Sequence, residues 1–136
     1  MSQTQTITNE GIGELVKLMC GEAATCVKSI CCLTDTTPCT ASVTSTYASP
    51  ASNKIVDSGL SIVDADSVVS STTNTTDDTI ELNHAFTASG TKNVSGVIIC
   101  NDDNDVNIGE CCFNAILALE PSDTLTVEYK IVVDQA

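Results

Sequence analysis

The apolar positions change period once along the chain. Ile12, Leu15, Val16 and Met19 recur at i, i+3, i+4 and i+7, which predicts a short amphipathic helix over residues 9–21. Thr8 stands where an N-cap belongs, acidic residues come early, and Gly21 can take the left-handed closing position. Residues 1–8 before it are polar and read as a flexible N-terminal arm that would order only on a partner.

Beyond the helix the period falls to two. Cys26 to Leu33 is a β-rich run, and Thr34 to Pro50, rich in Thr, Ser and Ala with prolines at 38 and 50, reads as a long loop. Strand character resumes at Ile55 to Asp57 and at Leu60 to Ser71. A turn at Asn74 to Asp78 leads into Ile80, Leu82, His84 and Phe86, which alternate with Glu81, Asn83 and Ala85. Val94 to Cys100 and Cys111 to Leu119 read as strands flanking a polar tip at Asn101 to Asp105. The last strand alternates most regularly: Leu125, Val127, Tyr129, Ile131 and Val133 face one way, with Thr126, Glu128 and Lys130 opposite. Six or seven strands joined by turn chemistry predict a mainly β fold. It is an antiparallel β-sandwich or jelly-roll-like barrel over residues 9–136, opened by one short α-helix.

Composition narrows what such a domain can do. Leu, Ile, Val and Phe make up a quarter of the 136 residues, enough for a folded core. Eighteen acidic and five basic side chains give a net charge of -13. Every basic residue is an isolated lysine (Lys17, Lys28, Lys54, Lys92, Lys130), so the expectation is no binding to nucleic acid and none to a membrane surface. No apolar run approaches the ~20 residues of a membrane helix, and the first ten residues carry no secretory signal, so synthesis in a cytosol is expected.

Eight cysteines are unusual in such a chain. Cys20, Cys26, Cys31, Cys32 and Cys39 lie in the first third and Cys100, Cys111 and Cys112 in the last, with no C-x2-C among them, which disfavours a thiolate metal site. All eight are disulfide candidates, and buried small apolar residues are the other reading. On strands, the pairs Cys31-Cys32 and Cys111-Cys112 place one sulfur in the core and one outside.

Candidate chemistry is sparse. His84, the only histidine, sits in an alternating strand with no nucleophile motif around it, so no catalytic residues and no enzyme activity are expected. No Walker loop or Gly-x-Gly-x-x-Gly is present, and no cofactor is expected. Asp102, Asp103 and Asp105 crowd the polar tip with hard oxygens and are the candidates for calcium, although the EF-hand order is not met. Asn74-Thr75-Thr76 and Asn93-Val94-Ser95 match the glycosylation triplet, a pattern that arises by chance in a Thr-rich chain.

Several stretches, in order, resemble a family of small structural proteins of tailed bacterial and archaeal viruses. They are Ile7-Thr8-Asn9-Glu10-Gly11 opening the helix; Ile30 to Ala41, a strand into a Thr/Ala/Pro-rich loop; Asp77 to Gly90; Val94 to Asn101, a valine-rich strand ending in Asn; and the closing Asp123 to Ile131. Members of the family usually carry an aromatic and Gly-Thr-Gly where this chain has Cys31 to Thr36, and Phe-Asn where it has Cys100-Asn101. The resemblance therefore implies that cysteines occupy core positions, as buried thiols or disulfides. It implies a virion structural protein, foremost a capsid decoration (cement) protein acting as a homo-oligomer such as a trimer on a major capsid protein. A tail-associated subunit is the alternative within that class, and a secreted or cell-surface binding or filament module the alternative outside it. The expected location is the virion, after synthesis in the host cytoplasm.

Overall fold

The computed structural model describes residues 3–133. Two antiparallel sheets face each other, as the period-two pattern requires, and they form a sandwich rather than a closed barrel. Sheet A has the order β1 (Gln3–Ile7), β8 (Asn107–Leu119), β7 (Lys92–Asn101), β2 (Val27–Thr34), β3 (Asn53–Lys54), with β4 (Val63–Asp64) also pairing β2. Sheet B is β5 (Ser67–Ser71), β6 (Thr79–Thr87) and β9 (Thr124–Val132). The one helix among the described residues, α1 (Asn9–Cys20), lies against β8.

The register explains the core. Cys32 pairs Val97 and Val97 pairs Cys111, so this row points toward sheet B and meets Leu82, Phe86, Val127, Tyr129 and Ile131. The opposite face of sheet A carries the row Cys31, Ile98 and Glu110. That face is dry too: Cys31, Leu33, Ile98 and Cys100 form a second cluster covered by Tyr47 and Ile62. Of the doubled cysteines, the sulfurs expected outside are therefore buried, because the segment between β2 and β5 covers the second face.

A covering segment of irregular backbone must have its N–H groups satisfied. A carboxylate does this. Glu110, with no exposed surface, accepts hydrogen bonds from Ser42 N (3.1 Å), Ser45 Oγ (2.8 Å) and Ala51 N (2.7 Å). The Cys39–Cys112 disulfide, Cα–Cα 5.4 Å, ties the start of the same segment to β8.

Three local expectations change. Gln3–Ile7, expected within a flexible arm, form β1, because the edge of β8 offers five consecutive register partners from Gly109 to Phe113; Met1 and Ser2 lie outside the described residues. The run Leu60 to Ser71 is broken in two: Ala65 N still bonds Lys28 O in sheet A while Asp66 N bonds Asn83 O in sheet B, so the chain changes sheets there. Ile55 to Asp57 are not a strand. Ile55 is nonetheless a core residue whose N–H bonds the Cys32 carbonyl.

Truncating Glu110 to Ala leaves three donors without an acceptor and should destabilise the fold by roughly 3–5 kcal/mol in urea titration. Amide exchange at Ser42 and Ala51 should accelerate in the same variant.

Candidate interaction surface

The helix forms where the sequence places it. Thr8 is extended (φ -81°, ψ 161°), its hydroxyl accepts from Gly11 N (2.9 Å) and donates to the Asn107 carbonyl, and Gly21 closes the helix at φ 70°. Its orientation is what the sequence does not show. The buried side is Gly11 and Glu14, whereas Ile12, Val16 and Met19 are 50%, 52% and 88% exposed and only Leu15 of the apolar stripe packs on the core.

The cause lies at Gly11 and two glutamates. A Cβ at Gly11 would lie 2.2 Å from the Ile108 carbonyl oxygen, so only glycine lets the helix axis come this close to β8. Glu10 Oε2 accepts from Tyr47 N (2.9 Å) and Asn107 N (2.7 Å), and Glu14 Oε1 from Thr25 N (2.9 Å). Main-chain donors of β8 and of two loops thus draw the polar side inward, and Ile12, Val16 and Met19 are left facing solvent. The legible signal was Gly11 itself, since a glycine inside a helix costs about 1 kcal/mol and marks a close approach.

The acidic tip is a closed turn. Asp102 pairs with Lys28 (2.8 Å), Asp105 Oδ1 accepts from Asn101 Nδ2 (2.7 Å), and the buried Asn101 carboxamide oxygen accepts from Asp105 N and Val106 N. Among the described residues no group of three or more His, Cys, Asp or Glu side chains is placed to hold a metal, so Asp102, Asp103 and Asp105 are not gathered into a calcium cage. His84 is oriented by Asp66 (Nδ1 to Oδ1, 2.9 Å) and packs edge-on against Phe86 with ring centroids 4.5 Å apart.

All five lysines are locally engaged. Lys28 pairs with Asp64 and Asp102, Lys92 with Asp57 and Lys130 with Glu81 and Glu128; Lys17 lies 4.0 Å from Glu14, and Lys54 sits over the Tyr47 ring. The remaining surface is strongly anionic, which sets the uncharged stripe on α1 apart from its surroundings.

The cysteines divide by burial. Cys31, Cys32, Cys100 and Cys111 are buried free thiols, and desolvation pushes Cys31 and Cys111 up to about 11 and Cys32 to about 12, with Cys100 raised for the same reason. Cys20 and Cys26 are free and exposed, at the end of α1 and just before β2. A neutral buried thiol neither attacks nor ligates.

Two substitutions in the helix should separate its faces. Gly11→Ala is expected to cost about 1–3 kcal/mol by forcing α1 off β8, while Gly13→Ala, with open space at its Cβ, should be neutral or gain up to about 1 kcal/mol in thermal unfolding. Thiol counting tests the cysteine assignment: alkylation of the native protein at pH 8 should label Cys20 and Cys26 rapidly, denaturation should raise the count to six, and reduction to eight. Rapid labelling of the buried four in the native state would contradict it.

No protein-family model matches the chain, and neither a curated protein nor a solved structure matches it significantly.

Proposed function

We propose that this chain is a non-catalytic virion structural protein that decorates the outside of a capsid and docks through the exposed stripe of α1. The observation that carries the docking mode is the stripe itself. Ile12, Val16 and Met19 form an apolar row at helical spacing on the solvent side of an otherwise acidic molecule, and exposed apolar patches of this kind mark contact sites. The capsid reading draws on the ordered resemblance to small structural proteins of tailed viruses.

The architecture suits the role. The central part of sheet A, β2, β7 and the first half of β8, is covered on both faces and stapled by a disulfide across a loop of more than seventy residues, a cross-link of the kind that contributes about 4 kcal/mol in the chain-entropy view. The dense negative charge keeps free copies apart, so that only a specific apolar contact retains them on a shell. The proposed partners are a major capsid protein and further copies of this chain, and the proposed location is the virion.

Virions lacking the protein should show bald, fragile heads by electron microscopy, and added wild-type protein should coat them. Met19→Glu, which changes only an exposed side chain, should fold normally and lower coating at least 10-fold. Intact heads with missing tails would overturn the capsid reading in favour of a tail position. Unchanged coating by Met19→Glu would overturn the helix as the docking face.

A further inference from the structure

The layer that covers the second face of sheet A is not closed. Between β2 and the chain that lies over it is a cleft of about 260 Å³, bordered by Cys31, Tyr47, Lys54, Ile55, Val56 and Ile62. It shares no residue with the exposed stripe of α1.

Two of these residues have surface that the fold itself leaves unused. Val56 is 81% exposed, and among the described residues only Met19 is a more exposed large apolar side chain. Lys54 is the lysine without a carboxylate partner among the described residues. The other four each have one within 4.0 Å, whereas the Lys54 ammonium donates to the Tyr47 carbonyl and lies 3.8 Å from the centroid of the Tyr47 ring. An ammonium has three donors, so hydrogens remain to be accepted. A concave apolar lining with one cation at hand is complementary to an apolar anion.

The net charge of -13 does not cancel this local cation. The neighbouring acidic groups are engaged elsewhere. Glu10 accepts from the main chain of Tyr47 and Asn107, Asp35 from Thr36 N and Ser52 Oγ, Asp57 pairs with Lys92 at 2.7 Å, and Asp64 with Lys28 at 3.4 Å. Exposed charges farther than about 8 Å are largely screened at physiological ionic strength.

Size and charge number narrow the ligand. A cavity of roughly 150 Å³ accommodates a benzene ring, so 260 Å³ leaves room for a ring and a short tail. Lys54 supplies a single positive charge, so a dianion such as phosphate would carry an uncompensated charge into an apolar cleft. We propose that this cleft binds a small apolar monocarboxylate, an arylalkyl acid of about ten heavy atoms, with its carboxylate on the Lys54 ammonium and its ring against Tyr47, Val56 and Ile62. The proposal is independent of the capsid reading.

Phenylpropanoate, titrated into the purified full chain and followed through the NMR signals of Tyr47, Val56 and Ile62, should saturate with a Kd on the order of 1 mM. Phenylpropanol, with the same ring and no charge, and acetate, with the charge and no ring, should each bind roughly 10-fold more weakly or worse. Lys54→Gln, whose amide can still donate to the Tyr47 carbonyl, and Val56→Asp, a change at an exposed side chain, should keep the spectrum of the folded protein and weaken phenylpropanoate by roughly the same factor. Lys54→Arg should bind within about threefold of wild type. Absence of saturation up to about 20 mM, equal affinity for the alcohol, or unchanged binding by Lys54→Gln would overturn the proposal. Shifts confined to Ile12, Val16 and Met19 would do the same, since they would place the ligand on α1. Because this assay contains no capsid, its failure leaves the docking reading of α1 untouched, and the converse holds.

Discussion

The fold depends on keeping the centre of sheet A dry on both faces. A sheet of half-buried strands needs one apolar face, but β7 is buried at every position from Val94 to Asn101, so something other than sheet B must cover its second side. The cover is mostly irregular chain between β2 and β5, and irregular chain brings unpaired N–H groups with it. A buried carboxylate on the sheet itself resolves the conflict. Glu110 takes two main-chain N–H groups and a hydroxyl from that segment, leaving Tyr47 and Ile62 free to close over Cys31, Leu33, Ile98 and Cys100.

The same device recurs at the helix, with consequences for the surface. Glu10 and Glu14 accept from main-chain N–H groups of Tyr47, Asn107 and Thr25, and Gly11 removes the side chain that would hold the helix off β8. Hydrogen bonding to the sheet and loops outcompetes burial of the apolar stripe, whose members are separately worth about 1.5–3 kcal/mol when fully buried. An apolar row on the outside of an acidic protein is thereby a product of how the interior is satisfied. It is also the surface on which the proposed docking rests.

Much of the architecture was legible as pattern. The helix bounds, the Thr8 cap, the Gly21 closure, the long loop after Cys32 and Leu33, and the alternation of β6 and β9 all appear where local spacing and turn chemistry place them. What pattern misplaced shares one cause. The continuous run from Leu60 to Ser71 hides a change of sheet at Ala65 and Asp66, and Gln3–Ile7 read as unstructured because a polar edge strand has no face to bury and gains its order from the backbone of β8. Asp102 and Asp105 looked alike in sequence and have different partners in space, Lys28 and Asn101.

The sequence by itself determined the class of fold, the bounds of α1 and the net negative charge, because period, cap residues and charge are local properties. Tertiary structure alone decided which side of the helix faces outward, which two of eight cysteines join, and that a glutamate belongs in the core. Each of these depends on partners distant in sequence: Ile108 for Gly11, Cys112 for Cys39, and Ser42, Ser45 and Ala51 for Glu110. A hydrogen-bond acceptor placed for a loop some sixty residues away leaves no periodic trace, so only the folded chain reveals it.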